Sequence, residues 1–390
     1  MARRVAPFVA LLLAALQACA PVPPSGIARL QPASFGEIPG WASDAHGEAL
    51  AALARSCARI LRLAPGAALG PPAFGTAAEW QEPCRDLPSA DAGDGAARGF
   101  VERHFAPAAL LDGTEAKGLF TGYYEPILRG SRQRGSAFQT PLLARPGDLV
   151  AVDLGRFREA WRGERVAGRV ADGALQPYPT RAQIEAGAIA DRAAALVWVD
   201  DPVDAFFLHI QGSGRVKLAE GGEIRLGYAA QNGHAYVPIG RLLVERGQLA
   251  REQVSMQSIR AWLAANPAGA GPLMGENPSY VFFRELSGDG PLGSEGVALT
   301  PGRSLAVDAR HVALGVPVWL EAEDPLEPAR RVARLMVAQD TGGAIRGVVR
   351  GDVFWGGGAD AEERAGRMRS AGRLWVMLPR RLAARLGGTD

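Results

Sequence analysis

The chain has 390 residues, of which 47% are hydrophobic and 22% charged, enough for two domains and incompatible with disorder or a coiled coil. Lys+Arg 43 against Asp+Glu 41 leaves a net charge of +2, too little to neutralise a nucleic-acid backbone, and aromatic RNA-binding signatures are missing. The 49 Gly and 28 Pro exclude a helical bundle and predict many turns between short strands of a mainly β fold.

Arg3 and Arg4 precede the apolar run Ala6 to Leu16. That run is too short to cross a bilayer as a mature helix and reads as the core of a secretory signal, residues 1–18. Leu16-Gln17-Ala18-Cys19 then resembles a bacterial lipobox, in which Cys19 becomes the lipidated first residue. The alternative is an ordinary signal cleaved near Ala18 or Ala20. Several acyl chains on one Cys make a stable anchor, and 19–26 reads as a short tether. Ala20 after the Cys, where Asp would favour inner-membrane retention, implies an outer-membrane lipoprotein facing the periplasm. An oxidising periplasm permits a disulfide between Cys57 and Cys84. Cys57 also sits on the helical stripe Leu50, Leu53, Cys57, Ile60, Leu61, where plain burial accounts for it equally well.

Residues 43–64 read as an amphipathic helix ended by Pro65-Gly66, and a second short helix is expected around Ala96 to Phe105. Strands follow at Leu119–Pro126, Ala195–Val199, Ala205–Ile210, Ile224–Tyr228 and Tyr280–Arg284, where β-branched and aromatic residues cluster. Helices are expected at Ile239–Arg246 and Met256–Ala265, and the glycine-rich stretch Ala268 to Gly275 reads as a loop. Further strands are read at Ser304–Val307, Val316–Ala322, Ala333–Ala338, Arg346–Val349 and Leu374–Leu378, with one helix near Ala361 to Ser370. No later apolar run is long enough to span a membrane.

The histidines His46, His104, His209, His234 and His311 show no metal-ligand spacing, and no close Cys pair completes a zinc site, so neither a metal nor a cofactor is expected. There is no phosphate-cradling loop and no nucleophile elbow around a serine. The carboxylates are more informative. Asp308 and Asp340 end predicted strands and Asp352 follows one, and acids at strand ends converge on the rim of a small barrel, where loops on a rigid scaffold suit acid/base work. Against this, Asp favours turns and caps on its own account.

Several segments, read together, resemble the membrane-bound lytic murein transglycosylase A family, whose C-terminal part carries a three-aspartate domain. They are Phe120-Thr121-Gly122-Tyr123-Tyr124-Glu125-Pro126, the run Asp204 to Gly214, Gly227 to Tyr236, Asn277 to Phe283, Leu305 to Asp308, and Ala338-Gln339-Asp340-Thr341-Gly342-Gly343-Ala344-Ile345 through Asp352-Val353-Phe354-Trp355-Gly356. The resemblance implies a double-psi β-barrel domain made of 27–125 plus 286–390, a smaller β domain inserted as 126–285, a few short helices, and a groove between the domains. It also implies cleavage of the β-1,4 bond between N-acetylmuramic acid and N-acetylglucosamine in the glycan strands of peptidoglycan, leaving a 1,6-anhydromuramoyl end.

The family's single catalytic aspartate falls on Asp352. Glycosidases that use water need a second carboxylate, but here the muramic acid 6-hydroxyl is the nucleophile and one acid/base suffices. An acid that works near neutrality needs burial or neighbouring charges to hold its proton, and Asp340 and Asp308 are the expected supports. Substrate contacts are expected from Tyr123, Tyr124, Phe354 and Trp355 through apolar ring faces, and from Thr121, Gln211, Ser213, Gln231 and Asn232 through hydrogen bonds. Some of these are expected to be core or turn residues, since aromatics in strands usually pack. His234, beside a turn, is read as a structural imidazole. Two other readings remain. Asp340-Thr341-Gly342 is the triplet of aspartic peptidases, but those enzymes need two such carboxylates and this chain has one copy. A non-catalytic glycan-binding or wall-loosening module is the other, since barrels host binding and hydrolysis alike.

Overall fold

A computed structural model describes Gly26 and residues 28–162, 164–288 and 290–386. The signal run and Cys19 lie outside the described residues. Among the described residues no helix is long and apolar enough to cross a membrane.

Six strands close on themselves in the order Arg369–Pro379, Pro317–Glu323, Arg331–Asp340, Ser304–Val307, Arg350–Gly357 and Gly118–Glu125. The seam forms where Gly118 to Thr121 pair antiparallel with Arg369 to Gly372. Glycine is required there: a Cβ on Gly118 would stand 1.7 Å from the Val349 carbonyl oxygen, and one on Gly372 would stand 2.6 Å from that of Glu321. Two neighbour pairs are parallel, Ser304–Val307 with Arg331–Asp340 and Arg350–Gly357 with Gly118–Glu125. Phe105–Asp112 adds to the far half of Arg369–Pro379, and Ala28–Pro32 extends that edge.

Pro317–Glu323 is buried on both faces as far as Ala322. One face fills the barrel, and on the other Trp319 lies against Trp41 and His46, with ring centroids 5.0 and 6.0 Å away; the helices Leu50–Ile60, Ala77–Arg85 and Asp94–His104 belong to the same continuous hydrophobic cluster. Cys57 and Cys84 are disulfide-bonded, tying the first two of these helices together. The expected helix at 43–64 is broken at its start into two short 3-10 turns, Trp41–Ser43 and His46–Ala49, before Leu50–Ile60.

Strands between Ile127 and Leu286 form a second, six-stranded sheet in the order Val281–Leu286, Glu223–Gln231, Ser213–Leu218, Ile127–Ser131, Ala195–Val199 and Thr140–Leu143. A single bridge between Ala144 and Phe283 links its two edges. A separate three-stranded sheet contains Val150–Asp153, Arg165–Ala171 and Ala174–Pro177. Glu125, at the exit from the barrel, is buried between Arg215 at 3.1 Å and Arg225 at 2.8 Å, and Arg225 also donates to the Gly288 carbonyl on the returning chain at 2.6 Å.

Three sequence expectations are corrected. Residues 205–210 are not a strand but part of the helix Pro202–Gln211: Asp201 caps it through the Val203 and Asp204 N–H groups, Pro202 opens it and Gly212 ends it in the left-handed region. Ala205 to His209 are all buried, so several sides of the helix are covered and its period does not show in the sequence. Residues 267–275 are a helix rather than a loop, opened by Pro267 and held by the buried side chains of Ala270, Leu273 and Met274. The strand expected at 346–349 begins at Arg350 instead, so Asp352 lies inside it and not after it.

Candidate active site

Strand register brings two of the three aspartates together. Ala306 is the cross-strand partner of Asp340 on one side and of Asp352 on the other. Thr121 stands beside Asp352, and Tyr123 beside Phe354, on the parallel neighbour. Because side chains alternate along a strand, Phe120 and Val353 fill the barrel while Thr121, Tyr123, Asp352 and Phe354 share its outer face.

Asp352 is held through one oxygen. Its Oδ1 accepts hydrogen bonds from the Thr121 hydroxyl and from Arg350 Nη1. Arg350 Nη2 donates to Thr121 Oγ1 at 2.9 Å and Nη1 to the Gly351 carbonyl at 2.6 Å, which fixes the guanidinium. No group among the described residues hydrogen-bonds Asp352 Oδ2. This carboxyl is thus oriented on one side and open on the other.

Asp340 is held through both oxygens. Oδ1 accepts from the Ser294 N–H at 2.8 Å, the Ser294 hydroxyl at 2.9 Å and the Thr341 N–H at 2.8 Å, and Oδ2 accepts from the Tyr123 hydroxyl at 3.0 Å. Burial pushes the Asp340 carboxyl above its usual range against the pull of these four donors. Burial first, and the Asp340 charge second, push the Tyr123 phenol well up, so it stays a donor. Behind Ser294, Glu295 accepts from the Ser56 hydroxyl at 2.7 Å, and Gln339 donates to Ser56 at 2.9 Å, which ties this loop to the helix Leu50–Ile60.

Asp308 is buried and engaged elsewhere. Arg310 grips both its oxygens at 2.9 and 2.6 Å, and the Gly347 N–H donates at 3.0 Å. Burial pushes this carboxyl up, but the Arg310 and backbone hydrogen bonds outweigh it and hold it at about 2. It makes no hydrogen bond with Asp340 or Asp352.

The remaining expected residues divide. Tyr123 and Thr121 are half-buried on the outer face. Phe354 is buried beneath Tyr123, the ring centroids 5.2 Å apart, and offers no free face. Tyr124 is buried against Ala361 and Ala365, so it too is a packing residue. Trp355 lies between the guanidinium groups of Arg334 at 5.7 Å and Arg364 at 5.4 Å. Gln211 accepts from the Tyr124 N–H at 3.1 Å, which anchors that strand to the helix Pro202–Gln211. Ser213 is buried at the start of its strand.

Gln231 donates to the His234 carbonyl and to Ser279, at 2.8 and 2.7 Å. Asn232 is buried, donating to the Pro179 and Pro278 carbonyls, each at 2.9 Å, and accepting from the Tyr280 N–H at 2.9 Å, which clamps three loop segments together. His234 contacts the Tyr178 carbonyl at 2.7 Å, consistent with a structural ring. Among the described residues no group of three His, Cys, Asp or Glu is placed to hold a metal ion.

Arg350 and Ser294 escaped the sequence reading. Arg350 had a signal: once the strand is placed at 350–357, residues 350 and 352 share a face. Ser294 sits in a glycine-rich turn, and nothing local announces its partner 46 positions away.

The family model described as the MltA specific insert domain matches residues 119–284, and the 3D domain model matches 303–378. The chain is 32% identical over 278 residues to the membrane-bound lytic murein transglycosylase A of Vibrio cholerae, covering 69% of this chain and 68% of that one. The chain belongs to the membrane-bound lytic murein transglycosylase A family. Among solved structures, a membrane-bound lytic murein transglycosylase from Agrobacterium tumefaciens superposes with a TM-score of 0.82 at 33% identity, over 92% of this chain and 99% of that one. MltA from Neisseria gonorrhoeae does so with a TM-score of 0.73 at 32% identity, over 91% and 94%. The two family-model matches divide the site: Thr121 and Tyr123 fall in the first, and all three aspartates in the second.

Proposed function

We infer that the chain is a lytic transglycosylase of peptidoglycan, with Asp352 as its acid/base. The observation that carries this assignment is the asymmetry of the Asp352 carboxyl, with Oδ1 fixed by Thr121 and Arg350 and Oδ2 open on the outer face of the barrel. In this reading Oδ2 gives its proton to the glycosidic oxygen as the bond from muramic acid C1 to that oxygen breaks. The 6-hydroxyl oxygen of the same sugar then bonds to C1 and its proton passes to Oδ2. The product is a 1,6-anhydro sugar, and the carboxyl returns to its starting form. Arg350 steadies the carboxylate that exists between the two transfers. Asp340 and Ser294 hold the Tyr123 ring beside it.

The same reading takes 27–125 with 286–390 as a double-psi barrel, 126–285 as the inserted domain, and the space between them as the glycan groove. The two parallel strand pairs and the adjacency of Glu125 to Gly288 through Arg225 support it. The lipobox-like Leu16-Gln17-Ala18-Cys19 supports an outer-membrane lipoprotein facing the periplasm.

A second assignment has its own observation. Burial raises the Asp340 carboxyl, and a general acid needs a proton near neutral pH. Incubating the enzyme with peptidoglycan and weighing the released fragments tests both. Products one water lighter than hydrolytic ones, lost in Asp352→Asn and retained in Asp340→Asn, support Asp352; the opposite pattern moves the proton to Asp340.

A further inference from the structure

The register of the barrel strands sets five residues in one line across its outer face. Asp340 pairs with Ala306, Ala306 with Asp352, Asp352 with Thr121, and Thr121 with Arg369. Directly paired residues share a face of the sheet, so the line runs from Asp340 through Asp352 to Arg369. Arg369 keeps the alternation of its strand: it is exposed, whereas Met368 and Ser370 on either side of it are buried.

The line crosses the strands. Gly118–Glu125 leads into the sheet that starts at Ile127, so a chain laid along the line follows the boundary between the barrel and the second region. At one end the Ser294 turn sits on Asp340 through hydrogen bonds of 2.8 and 2.9 Å. The other end is open. Beside Arg369 on the same face lie Leu119 and Ala371, a directly paired couple, and both are exposed.

Arg369 differs from the arginines around it. Arg364 has Asp324 at 3.4 Å, Arg367 has Glu363 at 3.0 Å, Arg373 has Glu321 at 3.1 Å, and Arg350 grips Asp352. Among the described residues no carboxylate pairs with Arg369. The line therefore ends in a cation that the protein leaves without a counter-charge. A guanidinium is shaped to meet a carboxylate through two parallel N–H groups.

Spacing indicates which carboxylate. Neighbouring strands are about 4.8 Å apart, so Arg369 lies two intervals, about 10 Å, from Asp352. That is comparable with one disaccharide repeat of a peptidoglycan strand. With one muramoyl residue placed for cleavage at Asp352, the next muramoyl residue along the strand comes one repeat away, at Arg369. Muramoyl residues are also the ones that carry acid. Their lactyl group ends in a free carboxylate where the stem peptide has been removed, and in the carboxylates of the stem where it remains. N-acetylglucosamine carries none.

We propose that Arg369 binds the carboxylate borne by the muramoyl residue one disaccharide from the bond that is cut, and so selects strands by the acid groups they carry. This rests on the reading of Asp352 as the acid/base and adds a charge-reading subsite to it. Arg369 takes no part in the proton transfers.

Binding is measured with the Asp352→Asn chain and with the same chain carrying Arg369→Gln or Arg369→Lys. Three ligands are compared: glycan strands with their stem peptides, strands stripped by an amidase so that each lactyl group is a free carboxylate, and chitohexaose, which has no carboxylate. Arg369→Gln is expected to weaken binding of a carboxylate-bearing strand about three- to tenfold, more at low salt than at high, and to leave chitohexaose unchanged. Arg369→Lys, which keeps the charge, is expected to recover most of the loss. Weakening with stripped strands assigns the lactyl carboxylate, and weakening confined to peptide-bearing strands assigns the stem.

Unchanged binding of both charged ligands overturns the proposal. So does equal weakening of all three ligands, which would make Arg369 a structural residue. Fragment release is followed in parallel with Asp352 intact and replaced. Continued release by Asp352→Asn overturns the acid/base reading, whereas the subsite is judged only from the ratio of charged to uncharged binding, so the two failures look different.

Discussion

The closed barrel and the strands between Ile127 and Leu286 cover their apolar faces differently. The barrel has a single continuous core, with Trp319 and Leu335 fully buried and helices packed on its outside. The other region divides its interior into three smaller clusters, centred on Leu226, Leu243 and Phe282, and leaves the aliphatic face of its smallest sheet uncovered. Asp340 and Asp352 lie on barrel strands whose positions the closed seam fixes. Under the mechanism proposed above, the lesson is a division of labour, in which the atoms that must be placed to a fraction of an ångström sit on the region with the continuous core.

The largest expected effect tests the chemistry of the rigid region. Asp352→Asn keeps the size of the side chain and most of its hydrogen bonds but cannot exchange a proton. Release of anhydro fragments should fall about a hundred- to ten-thousandfold, with binding of glycan and the thermal midpoint nearly unchanged. A variant that retained about a tenth of the wild-type rate would take the acid/base role away from Asp352.

Core truncation compares the regions directly. Trp319→Ala in the barrel should cost about 3–5 kcal/mol and Leu243→Ala among the helices about 2–5 kcal/mol. If the two regions differ as described, the first abolishes the folded enzyme or lowers its single main transition. The second lowers an earlier transition that leaves the barrel's near-ultraviolet signal in place. Calorimetry with one coincident transition for both variants would erase the distinction.

The disulfide is next. Cys57 and Cys84 are 27 residues apart, and loop closure of that kind is typically worth about 2–4 kcal/mol. Reduction should lower the melting temperature. It should also slow fragment release, because the bridged helix carries Ser56, which supports Glu295 beside Ser294. A melting temperature indifferent to reductant would remove the bridge from the barrel's support.

The smallest effect is a pH dependence. Asp308 is held at about 2 when folded, below its ordinary value, so its contribution to stability is present above about 4 and is lost as pH falls from about 4 to about 2. Asp308→Asn should therefore melt below wild type at neutral pH, with the gap closing through that window. A gap that stayed constant down to about pH 2 would mean that Asp308 does not act through its charge.

What the sequence disclosed depended on how local each cause was. Ser304–Val307, Ala195–Val199 and Met256–Ala265 were legible to the residue because their patterns and end signals sit within one short window. Pro202–Gln211 was not, although Asp201-Pro202 and Gly212 bracket it, because the crowded apolar residues Ala205 to Leu208 and Ile210 hide the helical period. Asp308, Asp340 and Asp352 were all legible as candidates from their places near strand ends. The partners that distinguish them come from afar: Tyr123 and Ser294 for Asp340, Thr121 for Asp352. Arg310, two residues from Asp308, is the exception that local reading had within reach.

The seam has a consequence for how the chain becomes a protein at all. Arg369–Pro379 pairs with Phe105–Asp112, Gly118–Glu125 and Pro317–Glu323, so three strands wait with open edges until one of the last segments is delivered. Ribosomes and export channels both release the N-terminal side first. The sheet between Ile127 and Leu286 is therefore complete while the barrel is still an unjoined set of edges, and unjoined edges invite pairing with other chains. Contacts that span most of the sequence also form slowly. A chain cut short before Arg369 would lose the strand that closes the barrel, and an escort that shields strand edges would act on this protein late, after most of it had already folded.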